Sequence, residues 1–117
     1  MSVQEMIAKT RMPLLRLASH VGKLEEIGAT IAALPSGPLD ETALMAGHTA
    51  VSGVSQLGAM VQATIENLAV LARSSAPCGE LEELLLAQQL LRDLRERTFK
   101  VQRALEERQR AYLQGLD

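Results

Sequence analysis

The feature that most constrains the fold of this chain is the spacing of its apolar residues, which recur at steps of three and four over most of its length. Such spacing places apolar side chains on one face of an α-helix, because the helix has 3.6 residues per turn. Only two stretches rich in Pro, Gly and Ser interrupt the pattern, at residues 35–38 and 74–79. The sequence therefore predicts three helical segments in an all-α protein.

The first segment is predicted to form one helix over about residues 3–34. Ser2 and Glu5 have the spacing of a capping box at its start. Pro13 lies inside the segment, where it removes a backbone hydrogen bond and crowds the preceding turn. Because the apolar stripe keeps its phase across Pro13, we favour a kink near this residue, with a short separate first helix as the alternative.

The second segment is predicted to form a helix over about residues 41–73, after Asp40 as a helix N-cap. No charged residue occurs between Thr42 and Ile65, and this stretch is rich in Gly and Ala. A helix of this length spans roughly 50 Å, and such a long uncharged surface is costly to leave in water on every side. We therefore expect the second helix to be the central and most buried one.

The third segment is predicted to form a helix over about residues 80–115, with an acidic first turn that complements the helix dipole. Four leucines widen its apolar stripe in the first half, at positions 81, 85, 86 and 90. From Arg92 onward, charges of both signs crowd the sequence. This composition predicts a solvated second half that projects as a coiled-coil arm.

The composition predicts how these helices are assembled. Hydrophobic residues make up 47% of the 117 residues and aromatic residues only 2%, so the core must be aliphatic. The length suits a single helical domain, 1–117, and the short connections favour long antiparallel helices in a three-helix up-down bundle. The apolar surface exceeds what that bundle needs, which predicts its completion by oligomerisation into a four-helix or larger bundle.

Charge and cysteine usage disfavour several classes of protein. The formal net charge of −2 argues against a nucleic-acid binder, and the polar residues within the second helix argue against a membrane span. Cys78, expected in a loop, is the only cysteine, so no intramolecular disulfide forms. With a start that does not resemble a secretory signal, these features predict a cytoplasmic protein.

We find no sequence pattern for catalysis. His20 and His48 are the only histidines, too few with one cysteine to predict a metal site. The chain has no Gly-x-Ser-x-Gly elbow and no glycine-rich phosphate loop. We therefore predict a protein that is not an enzyme, with no catalytic residues, metal or cofactor and no evident small-molecule substrate.

One stretch of the second helix resembles the helix that carries the phosphorylated histidine in histidine-phosphotransfer domains, which are four-helix bundles. Leu57 and Gly58 follow His48 at the positions where that family has a Leu-Gly pair, and Ser52 is the expected small residue. Val51 stands where the family has a lysine. The resemblance implies, as an alternative function, a phosphotransfer-like signalling module that uses His48.

The leading prediction is a non-enzymatic helical interaction protein, namely a structural subunit, adaptor or small chaperone that packs against itself or a helical partner protein. Its interface is predicted on the second and third helices, because their apolar surface is broadest there. The predicted interface residues are Val51, Val54, Gly58, Ala59, Val61, Ala63, Leu81, Leu85, Leu86 and Leu90.

Overall fold

The computed structural model of the protein describes residues 3–35, 40–75 and 78–115, and they form helices joined by short connections. The helices are α1 (Val3–Lys9), α2 (Arg11–Ala33), α3 (Asp40–Ser75) and α4 (Cys78–Gly115). The all-α prediction is confirmed, and the three long helices pack against one another in a bundle 61 Å long. Cys78 is the first residue of α4 rather than a loop residue. The predicted cap at Ser2 lies outside the described residues.

The first segment forms two helices, which is the alternative to the kink that we favoured. Pro13 has no amide hydrogen to donate to the Lys9 carbonyl, and its ring occupies that space, so the helix is interrupted one turn earlier. At the interruption, the amide and the hydroxyl of Thr10 both donate to the Ile7 carbonyl, at 3.0 and 2.7 Å. These bonds satisfy a buried polar side chain and keep α1 packed on the bundle.

Polar contacts between α2 and α4 show the relative directions of the helices. Arg11 pairs with Glu83 and Glu25 pairs with Arg97, so both pairs join residues 72 positions apart. The constant offset means that α2 and α4 run in the same direction. The short connections then make α3 antiparallel to both, which gives the up-down-up order expected from the sequence.

The core is aliphatic and consists of two clusters along the bundle. The larger lies towards α1 and comprises Ile7, Leu14, Leu17, Val21, Val61, Ile65, Leu68, Leu84, Leu91 and Leu94. The smaller lies towards the end of α2 and comprises Leu24, Ile31, Leu44, Val51 and Leu105. Val54 packs against both clusters and makes the core continuous.

The smaller cluster depends on a close approach at Gly47. A Cβ atom at this position would lie 2.9 Å from Leu105 Cδ1 and 3.0 Å from Ile31 Cδ1. Leu105 is buried here, and the Arg108 guanidinium donates to the carbonyls of Ile31 and Leu34. The second half of α4 therefore packs on the bundle as far as Arg108, instead of projecting as the predicted arm.

Helix α3 leaves one long side uncovered, in contrast to the expectation of a central buried helix. It packs on both α2 and α4 through one face, and its opposite face is exposed over most of its length. The reason is geometric, because each helix of a three-helix bundle turns one stripe inward and leaves the rest to solvent. The uncharged side of α3 is thus displayed and not covered.

Candidate functional site

The exposed side of α3 is the candidate functional site. Its residues recur at helical spacing from 45 to 70, which corresponds to roughly 37 Å along the helix axis. They are all exposed and none is charged, and we call them the α3 outer face: Met45, Thr49, Ser52, Gln56, Ala59, Met60, Ala63, Asn67 and Val70. Glu66 is exposed at the edge of this face, between Ala63 and Val70, so the strip is free of charge from Met45 to Ala63. An uncharged strip on the outside of a bundle is typical of a surface that another helix covers.

Large and small side chains alternate on the α3 outer face. Met45 and Met60 are each about two-thirds exposed, and between them the side chains at Ser52 and Ala59 are short. Short side chains allow a neighbouring backbone to approach closely, while methionines adapt their shape to the helix that packs on them. The face therefore combines short side chains and the polar Gln56 with two flexible apolar side chains.

Two threonine hydroxyls of α3 are already hydrogen-bonded within the helix. Thr49 Oγ1 donates to the Met45 carbonyl at 2.9 Å, and Thr64 Oγ1 donates to the Met60 carbonyl at 3.1 Å. A polar group with a partner costs less free energy to remove from water than one without. This side of α3 is therefore cheaper to cover than its threonines alone would suggest.

The predicted interface residues of α3 separate into two groups. Ala59 and Ala63 lie on the α3 outer face. Val51, Val61 and Gly58 are buried in the chain's own bundle, where they contribute to packing of α3 on its neighbours.

Buried positions of this kind are not available to a partner, because the inward stripe of an amphipathic helix is filled by its own chain first. Val54 is half-buried between the two core clusters. The sequence reasoning missed Met45 and Met60, which could have been found by asking which positions lie opposite the buried stripe.

The predicted leucines of α4 lie mostly at the surface. Leu85, Leu86 and Leu90 are exposed, whereas Leu81 has a side chain outside what the structure describes. Leu86 and Leu90 share a helix face with Arg97, whose partner is Glu25 on α2. They therefore form a second apolar area at the edge of α4 that faces α2, separate from the α3 outer face.

His48 is half-buried and contacts α4 rather than a charged group. Its Nε2 atom lies 3.1 Å from Gln109 Oε1. Val51, at the position of the lysine in phosphotransfer domains, is buried in the core, so this helix position points inward here. The side-chain amide of Gln109 therefore lies beside the His48 ring, and α3 supplies no cation there.

The best-defined charged contact joins α2 to α4. Arg97 Nε donates to Glu25 Oε2 at 3.2 Å, and its Nη2 donates to Oε1, so the guanidinium binds the carboxylate through two parallel bonds. These hydrogen bonds lower the pKa of Glu25 from its ordinary value. Both side chains remain more than one-third exposed, so the pair supports the bundle modestly.

The described part of the chain was also compared with the requirements of a metal site and of a membrane-spanning helix. Residues 3–35, 40–75 and 78–115 contain no group of three His, Cys, Asp or Glu side chains placed to hold a metal ion. No helix within these ranges has the length and apolar character needed to cross a membrane. Comparisons of the chain with protein-family models, curated proteins and solved structures gave no match.

Proposed function

We propose that this protein is a non-enzymatic helical interaction protein that binds a further helix on the α3 outer face. That helix belongs either to a second copy of the chain or to a helical partner protein. The cellular role is then that of a structural subunit, an adaptor or a small chaperone. The observation that supports the proposal is the exposure of nine uncharged residues along one side of α3, with no charge on that side from Met45 to Ala63.

Energetics favour covering this strip rather than leaving it in water. Met45, Met60 and Val70 are each about two-thirds exposed. Covering the remaining exposed part of one such side chain stabilises a complex by roughly 1–2 kcal/mol, about two-thirds of the value for complete burial. Between Met45 and Ala63 no ion has to be dehydrated, so little of that gain is lost to desolvation there.

The outer side of α4 provides an internal contrast. Towards its end it carries ionic side chains of both signs outside any groove lining, including Glu106, Glu107 and Arg110. Charged residues of this density keep a helix face in water. The two helices belong to the same bundle, so the uncharged composition of the α3 outer face is specific to that face.

A cytoplasmic location is part of the proposal, since extracellular domains of this size commonly depend on disulfides and this chain has a single cysteine.

The proposal is tested with Ala59→Glu, which places a charge in the middle of the α3 outer face. Ala59 is exposed, so the variant folds like the parent and any effect is on association. The matched control is Ser19→Glu, at an exposed small residue of α2 that lies between Arg16 and Lys23. Light scattering at about 10 µM compares the solution masses, in the range where interfaces of moderate affinity are occupied.

We expect the parent and the control to have at least twice the mass of the 12.7 kDa chain, and Ala59→Glu to have the mass of one chain. If the parent is monomeric, the self-association form is wrong, and parent and Ala59→Glu are then used as baits in native co-purification. Loss of a partner with Ala59→Glu supports the heteromeric form. Equal recovery with both baits contradicts the proposal.

A further inference from the structure

A groove lies between α3 and α4 on the described surface. It has a volume of about 680 Å³ and extends along α4 from Gln88 to Arg103, which is roughly 22 Å of helix. Ile65 and Leu91 contribute apolar atoms to its floor, and Phe99, which is half exposed, forms an apolar wall. A smaller cavity of about 140 Å³ adjoins it and shares Phe99 as a lining residue. The combined shape suits an elongated ligand with an apolar side.

The rim of the groove is basic although the chain is not. Four cations line it, against the two carboxylates of Glu66 and Glu96, so the rim has a net charge of +2 while the whole chain has −2. The four cations are Arg92, Arg95, Lys100 and Arg103. A concave site with charges of one sign concentrates ligands of the opposite sign.

The charges of the rim are available to a ligand. Arg92, Arg95 and Lys100 form no ion pair within the described residues, and the Arg103 guanidinium lies 5.7 Å from the centre of the Phe99 ring. One of the two carboxylates, Glu66, already accepts a hydrogen bond from Gln62 at 2.8 Å. An acidic ligand therefore meets cations that no carboxylate of the described chain already pairs.

We propose that this groove binds an acidic amphipathic helix of a partner protein. The apolar side of that helix would pack against Phe99, and its carboxylates would lie beside Arg92 and Arg95. A groove of this length accommodates about four turns, which is the usual extent of helix-in-groove recognition. The surface and its chemistry differ from those of the α3 outer face, so this proposal does not rest on the proposed function.

A nucleic-acid strand is the other polyanion to consider, and the structure favours it less. Single strands bind through successive aromatic side chains on which the bases stack, together with cations along the backbone. The groove offers Phe99 alone for stacking, and its glutamates would face phosphates directly. A helix with few charges on its apolar side avoids that repulsion.

Fluorescence anisotropy with the full chain tests the proposal. The probe is a labelled sixteen-residue peptide designed with leucines at helical spacing and glutamates beside them. The comparison probes are the same peptide with lysine at every glutamate position, and a sixteen-nucleotide oligothymidine. We expect the acidic peptide to bind at least about tenfold more tightly than the lysine peptide, and more weakly as salt is raised.

Variants locate the binding to the groove. Arg95→Gln and Phe99→Ala change exposed residues of the rim and wall, and each should weaken the acidic peptide about three- to tenfold. Arg16→Gln, which removes an exposed arginine of α2, should leave binding unchanged.

Equal binding of the two peptides, tighter binding of the oligothymidine, or full binding by Arg95→Gln would overturn the proposal. Ala59→Glu separates it from the proposed function, because that variant should bind the acidic peptide like the parent whatever its effect on assembly.

Discussion

Helices α3 and α4 are almost equal in length, at 36 and 38 residues, but their solvent-facing sides differ in composition. Both supply an aliphatic stripe to the same core, and the stripe consists of Leu, Ile and Val in α3 and of Leu with a partly buried Val101 in α4. Outward, α4 carries ionic side chains and α3 carries none between Thr42 and Ile65. An inward apolar stripe is sufficient for the bundle in both helices. The fold therefore does not account for the lack of charged residues on the outer side of α3.

The two helices also attach to α2 in different ways. The ion pairs and carbonyl contacts described for α2 involve α4, through Glu83, Arg97 and Arg108. Helix α3 approaches α2 through close packing at Gly47, beside Ile31. The contact of α2 with α3 is therefore mainly apolar packing, whereas its contact with α4 combines packing with polar contacts.

The largest effect is expected where the two helices are alike, in the core. Ile65 of α3 and Leu94 of α4 are each 1% exposed and belong to the same cluster. Replacing either by Ala should lower the free energy of unfolding by about 2–5 kcal/mol, because a cavity adds to the lost burial. Urea denaturation followed by circular dichroism measures this, with exposed Leu85→Ala as control, expected to change stability by less than about 0.5 kcal/mol. A small loss for only one of the two core variants would show that the inward faces are not equivalent.

The next effect concerns the close approach of α3. Gly47→Ala places a methyl group against Leu105 and Ile31, whereas Gly53→Ala places it in open space on the same helix. Both gain helix propensity, so Gly53→Ala should stabilise the protein by about 0.5–1 kcal/mol. Overpacking should leave Gly47→Ala less stable than Gly53→Ala by about 1–2 kcal/mol in the same denaturation assay. Equal stabilities would mean that the Leu105 side chain moves aside without cost.

The polar attachment of α4 is tested at Arg108. Its guanidinium donates to two carbonyls at the end of α2, that of Ile31, which also accepts from the Leu34 amide, and that of Leu34, which lies past the last helical residue. Arg108→Met keeps the aliphatic stem but loses these bonds, and should lower the free energy of unfolding by about 1 kcal/mol. Arg110→Met, two positions along and exposed, should stay within about 0.5 kcal/mol of the parent. A parent-like Arg108→Met would indicate that water replaces the guanidinium.

The smallest effect is the pH dependence that the other polar attachment confers. The hydrogen bonds from Arg97 lower the pKa of Glu25 below its ordinary value of 4.5. The pair therefore adds stability above that value, and the contribution is lost as the pH falls below it through the pKa of the folded state. Because both side chains are partly exposed, we expect less than about 1 kcal/mol.

Glu25→Gln should remove this component, so that stability falls less between pH 7 and pH 3 than in the parent. Arg97→Met should flatten the same part of the profile, since it removes the group that holds the Glu25 pKa down. Thermal unfolding at a series of pH values measures both. A Glu25→Gln profile that overlays the parent would mean that the pair contributes nothing in solution.

The core was largely predictable from the sequence. The apolar residues that define the stripes of α2 and α3, such as Leu17, Val21 and Ile65, are also the most buried ones. The site was predictable only in part. Ala59 and Ala63 are exposed as a surface for a partner requires, whereas Val51 and Val61 are used inside the chain. Uncharged residues look alike in a sequence whether they face a core or a partner.

Local chemistry determined where this chain is helical, where it turns and which stripe of each helix is apolar, because those properties depend on neighbours within a few residues. The sequence allowed either a kink near Pro13 or a short separate first helix, and the structure has the separate helix α1. Only the tertiary structure decided that the chain leaves the outer side of α3 uncovered and that the second half of α4 packs on α2. The reason is physical, since exposure depends on how many helices surround a given one, and no spacing within a single helix records that number.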